Sequence, residues 1–202
     1  MTEPKSVRSG RRAALRYLAF PLVAGLLAAC SRKPVFKGTD ISGSSLTMTV
    51  ALTDDTGRRR TLADFRGKVV AVFLGYTRCP DVCPTTMGEL KLAMQQLGQQ
   101  ADLVQVLFVT VDPEHDTLPV LARWVTGFDP RFLGLRGTQE ELKALASQLK
   151  VYYGRTGKTG DDIMHNGNVF LFDRHGAIRV LEEMGANSTT LAADIRELLK
   201  ED

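Results

Sequence analysis

Cysteine is scarce in this chain, with three residues in 202. That excludes a disulfide-framed scaffold, which needs a dense set of paired cysteines in place of a large core. Histidine is equally scarce, with three, and tryptophan occurs once. No apolar run reaches the roughly 20 residues of a comfortable membrane-spanning helix. Nothing is low in complexity or repeats with a period of roughly 20–50 residues, so solenoids and propellers are excluded as well. Basic charge is lacking outside the N-terminus. The first 29 residues hold Lys5, Arg8, Arg11, Arg12 and Arg16 against Glu3 alone, and they account for the net charge of +3. Without them, 26 basic and 23 acidic residues become 21 and 22, a remainder near −1. A nucleic-acid-binding reading thereby loses its only support. What is present is an ordinary globular composition, 44% hydrophobic and 24% charged, long enough for one well-packed domain.

The N-terminus reads as an export signal over residues 1–29. A basic stretch ends at Arg16, and the apolar run "YLAFPLVAGLLAAC" follows, interrupted by Pro21. Its end, "LAAC", resembles a bacterial lipobox, which implies cleavage before Cys30 and lipid on the Cys30 sulfur. "GRRAALR" weakly resembles a twin-arginine signal, and both export routes stay open. Either way the domain is expected outside the cytoplasm, on the periplasmic or extracytoplasmic face of a membrane and anchored to it. Residues 30–44, with Lys, Ser, Gly and Pro and no periodicity, read as the tether, and residues 45–202 as the domain.

Within the domain, "LTMTVALTDDTGRRRTL" suggests a β-hairpin turning at residues 55–57. The continuous apolar runs "KVVAVFLGY" and "LVQVLFVTV" suit buried central strands. Between them Met87, Leu90, Met94 and Leu97 fall at spacings of three and four, one apolar helical face, with Gly98 as the stop. Pro119 opens a second helix, and Thr138 with Glu141 forms a capping-box pattern that opens a third. A hairpin turning at residues 173–176 and a closing amphipathic helix follow. Strands that alternate with helices and end in an antiparallel hairpin indicate an α/β fold. The expected layout is thioredoxin-like, with a mixed central sheet flanked by helices and an N-terminal β-hairpin.

With Cys30 carrying lipid, two thiols remain, Cys79 and Cys83 in "FLGYTRCPDVCPTTM". They fall just past the C-terminal end of a central strand, where open α/β sheets place reactive groups. If both begin the helix, four residues separate them by about 6 Å along its axis on one face. A disulfide tolerates that separation, and so does chelation of a soft metal. Helix N–H groups nearby are expected to lower the thiol pKa. Two thiolates make a poor specific site, so a third ligand is expected. His175, in "DRHG", and His115, in "VDPEHDT", read as solvent-facing. His165, in a glycine-containing stretch before the strand at Val169–Phe172, is best placed, because a loop there can fold over the dithiol. A Cys2His set suits copper, and zinc remains chemically open. A peroxidase reading fails because Thr85 and Thr86 follow the second cysteine instead of preceding the first.

At these residues the chain resembles the Sco/SenC family of membrane-tethered copper proteins. "GYTRCPDVCPTTM" matches the family hallmark almost residue for residue. "LFVTVDPEHDTLPVL", "FDPRFLGLRGT" and "VYYGRTGKTGDDIMHNGNVFLFDRHGAIR" match its further blocks. The resemblance implies copper, as Cu(I) or Cu(II), bound by Cys79, Cys83 and His165, with Asp112 in a supporting role. It implies delivery of copper, or electrons, which favours a metallochaperone and leaves thiol–disulfide reductase activity open. The implied partners are a copper donor protein and the copper-bearing subunit of cytochrome c oxidase, whose dinuclear centre the family helps assemble. A thiol–disulfide oxidoreductase using Cys79 and Cys83 as a redox pair, or a redox-linked copper sensor, are the other readings. The sequence departs from the family at Met164 and Asn166, where an acidic residue usually precedes the ligand histidine and Ser or Thr follows it.

Overall fold

Apart from Thr2, the computed structural model describes residues 34–156, 162–165 and 167–201; at residues 155, 156, 162, 164 and 165 the description is of backbone alone. The export signal with Cys30, the stretch 157–161 and Asn166 lie outside the described residues.

The two long apolar runs become adjacent central strands, β4 (Val69–Gly75) and β5 (Val104–Thr110), buried at every position and paired in parallel. Burial without alternation is what coverage on both faces demands. The sheet is completed by β1 (Thr39–Asp40), β2 (Leu52–Asp54), β3 (Arg59–Arg60), β6 (Leu133–Arg136), β9 (Val169–Phe172) and β10 (Ile178–Glu182). Its order is β1-β10-β9-β4-β5-β6-β2-β3, parallel across β4-β5-β6 and antiparallel elsewhere. This is the expected mixed sheet with its N-terminal hairpin. A separate two-stranded ribbon, β7 (Tyr153–Thr156) and β8 (Asp162–His165), was not anticipated, because its sequence has neither alternation nor an apolar run.

Side chains along β4 divide between two cores. Val69, Ala71 and Phe73 face α1 (Val82–Leu97), α2 (Leu118–Thr126) and α4 (Ser188–Leu199), whereas Val70, Val72 and Leu74 face α3 (Gln139–Leu149). The helix signals hold. Met87, Leu90, Met94 and Leu97 are all buried on α1, and Gly98 closes it at φ 58°. Pro119 sits in the first turn of α2, and Thr138 and Glu141 make the reciprocal capping box of α3. Among the described residues no helix is long and apolar enough to cross a membrane.

The expected tether is corrected at its C-terminal end. Thr39 and Asp40 pair with Leu181 and Val180, and Phe36 packs on the core. The cause is Asp194 of α4, which is buried and accepts the amide N–H groups of Lys37 and Gly38 at 2.7–2.9 Å. The folded unit therefore begins at Pro34 instead of residue 45. The N-terminal hairpin is also shorter than its sequence pattern, because residues 46–51 form no strand.

Candidate metal centre

The two cysteines occupy different kinds of backbone. Helix α1 starts at Val82 with Asp81 as N-cap, so Cys83 lies in its first turn while Cys79 precedes it. The expectation that both thiols begin the helix is corrected. Pro80 supplies the reason, because its ring disfavours helical backbone at the residue before it. Cys79 is instead held in a turn by its own N–H, which donates to the Tyr76 carbonyl at 3.2 Å.

Cys83 is fully buried in the core shared by α1 and β4. Its sulfur lies over Gly75, where a β-carbon would stand 2.6 Å from the Cys83 Sγ and 2.9 Å from a ring carbon of Phe108. Glycine is required there by space, since its backbone is ordinary strand. Cys79 is half-buried at the C-terminal end of the sheet and touches both cores. Cys79 and Cys83 are not joined in a disulfide, and the Cys83 N–H points at the Cys79 Sγ at 3.5 Å. The expectation that helix N–H groups lower the thiol pKa is corrected at Cys83. Burial pushes this thiol well above its usual range, Cys79 and Asp116 push the same way, and a backbone hydrogen bond at Tyr76 opposes them. Desolvation of a thiolate outweighs the helix end here.

Asp112 follows β5 and is fully buried. Its carboxylate is 2.9 Å from the guanidinium of Arg78, the residue before Cys79, and 3.0 Å from Nδ1 of His115. His115 is therefore more than a solvent-facing loop residue: although exposed, it packs onto the same carboxylate and lies 3.0 Å from Arg78. His175 is exposed in the β9–β10 turn, as expected.

His165 is described by its backbone, the last residue of β8, paired with Tyr153 of β7. The segment around it lies against the cysteine region on both sides. Two residues earlier, the Ile163 N–H meets the hydroxyl of Tyr76 at 3.5 Å. Two residues later, a β-carbon on Gly167 would stand 2.9 Å from Val82, the residue between the helix cap and Cys83, and about as close to the side chain of Met184. A ribbon, and not a loop, thus carries His165 to the dithiol end of the sheet. The side chain of Met164 and all of Asn166 lie outside the described residues.

Sequence reasoning missed Asp116, which is fully buried and bonded to Thr77, two residues before Cys79. It also missed Met184, 62% exposed beside Gly167. Neither residue carries a local signal, since each is defined by a neighbour far away in sequence.

The SCO1/SenC family model matches residues 39–200. The mitochondrial SCO2 homologue of Danio rerio is 38% identical over 154 residues, covering 74% of this chain and 55% of that protein. That of Bos taurus is 40% identical over 131 residues, covering 62% and 49%. The chain thus spans about half the length of the curated relatives it matches. Among solved structures, copper-bound ScoI of Bradyrhizobium japonicum superposes with a TM-score of 0.70 at 31% identity, covering 76% of this chain and 99% of the other. Apo Sco1 of Thermus thermophilus gives 0.73 at 34%, covering 83% and 99%. The family model and the superpositions agree, and the chain belongs to the SCO1/SenC family.

Proposed function

We propose that this protein is a membrane-tethered copper metallochaperone. Copper is its cargo, held by Cys79, Cys83 and His165, and the recipient is the dinuclear copper centre of cytochrome c oxidase. The observation that carries the reading is the pair of reduced cysteines at the end of the sheet with the backbone of the His165 segment packed beside them. Two sulfurs and an imidazole form a soft donor set that suits copper over calcium or magnesium. Three ligands from the protein leave coordination positions through which cargo passes to partner cysteines by ligand exchange. The copper-bound states of the Bradyrhizobium japonicum relative and of yeast Sco1, at 29% identity, support the choice of metal. The lipobox-like end of the export signal supports attachment through Cys30 to the outer face of a bacterial membrane.

Copper titration of the full chain tests the reading. Cys79→Ala, Cys83→Ala and His165→Ala are each expected to weaken binding by about a hundredfold or more, the scale of losing one of three ligands to a charged centre. Unchanged affinity in His165→Ala would remove that histidine from the site.

The short approach of the Cys83 N–H to the Cys79 sulfur favours a second reading, a thiol–disulfide reductant of the oxidase cysteines. Deleting the gene and assaying oxidase activity separates the two. Rescue by added copper supports the chaperone, and rescue by a membrane-permeant reductant alone supports the reductase.

A further inference from the structure

Cys83 is fixed by its helix and the core, whereas Cys79 sits on the six-residue connection from β4 to α1, residues 76–81, held locally by its N–H to the Tyr76 carbonyl and by the Cys83 N–H to its sulfur. Such a connection needs an external hold if its sulfur is to stay in place. Asp116 lies in the loop between β5 and α2 and is fully buried. Its carboxylate accepts the Thr77 N–H at 3.0 Å, the Thr77 hydroxyl at 2.5 Å and the Thr110 hydroxyl at 2.5 Å. Thr110 in turn accepts the Asp112 N–H at 3.0 Å. The Asp112 side chain takes Arg78. Two consecutive residues, Thr77 and Arg78, are thereby pinned by two carboxylates of one loop, and Cys79 is the next residue.

We infer that Asp116 is a positioning residue for the copper site, acting through Thr77 to hold the Cys79 sulfur where it and Cys83 share one ion. The inference rests on the copper reading above. Three charge-assisted hydrogen bonds on a water-excluded carboxylate form a stiff clamp. Losing one removes pre-organisation from Cys79, and ion binding must then supply the ordering. The clamp is made with both thiols reduced. The hold on Cys79 is thus seen in the dithiol state, and the midpoint potential reads whether the disulfide keeps it.

The test uses the full chain with Thr77→Val, Thr77→Ser and Asp116→Asn. Thr77 is half-buried, and valine keeps its shape while losing the hydroxyl, with thermal melts checking that each variant is folded. Cu(I) affinity is measured by competition with a chromophoric chelator. The thiol pair is equilibrated in glutathione buffers, where it gives two electrons and two protons to glutathione disulfide as its own S–S bond forms. Thr77→Val is expected to bind Cu(I) about tenfold more weakly, the equivalent of one hydrogen bond to a charged acceptor. Its midpoint potential is expected to fall by about 30 mV, the same factor for a two-electron couple. Thr77→Ser should match wild type. Asp116→Asn should also weaken binding, since a neutral amide removes the charge that assists all three hydrogen bonds. Affinity and potential within about twofold of wild type in both Thr77→Val and Asp116→Asn would overturn the inference. So would a copper defect that merely tracks the unfolded fraction in thermal melts. If the wild-type chain fails to take Cu(I), the copper reading falls, and the midpoint shift alone decides whether the clamp acts on Cys79.

Discussion

Cys83 and Cys79 stand four residues apart and are held by different physics. Cys83 is positioned by close packing: a helix first turn, a glycine with no room for a side chain, and an apolar core. Cys79 is positioned by polar bonds from a neighbouring loop. Packing fixes a sulfur rigidly but raises the cost of its thiolate, as the upward shift at Cys83 records. Hydrogen bonding leaves the other cysteine half-buried at the end of the sheet.

The largest effect is expected where packing is broken. Gly75→Val drives a side chain into the Cys83 Sγ and Phe108, at an expected cost of about 3 kcal/mol, the upper end for overpacking. Denaturant unfolding measures it, and wild-type stability would mean the sulfur yields easily and is not anchored as described. A smaller effect separates the thiols directly. Cys83→Ser puts a hydroxyl into an apolar site and is expected to cost about 1–3 kcal/mol. Cys79→Ser, half-exposed, should stay within about 0.5 kcal/mol of wild type. Equal costs would erase the contrast between the two positions.

The smallest effect on the thiols is expected at the other carboxylate cluster, where Glu182 and Asp194 are both buried. One Glu182 oxygen has no donor among the described residues unless the two groups share a proton. Burial, and then Asp194, push the Glu182 carboxyl up to about 8. The folded protein therefore keeps a proton that the unfolded chain sheds near its ordinary 4.5. This contribution is fully present below 4.5 and is lost as pH rises through about 8. Glu182→Gln should flatten that fall in unfolding free energy measured across the same pH range and leave copper affinity unchanged. A copper defect in this variant would show that the Asp116 clamp and the Glu182–Asp194 pair are coupled.

These contrasts also mark what could be read in advance. β4, β5 and the helices were legible because each carries its own period or cap: continuous apolar runs, Met87 to Leu97 at three and four, Thr138 with Glu141. The cysteine pair was legible as a candidate site because its block is distinctive and follows a central strand. Pro80 held a usable warning that Cys79 would fall outside the helix. Asp116 and the β7–β8 ribbon held none, because nothing local distinguishes a buried clamp from a turn former, or a glycine-containing ribbon from a loop.

The sequence by itself determined the α/β order, the two thiols, the candidate histidine and the family to which the chain belongs. These follow from local periodicity, from residue chemistry and from a contiguous motif. Only the tertiary structure decided that one cysteine is fully buried and the other half-buried, that a loop some forty residues away carries the clamp on Cys79, and that residues 34–44 join the fold. Each of these depends on which groups lose water together, and that is set by contacts between segments distant in the chain.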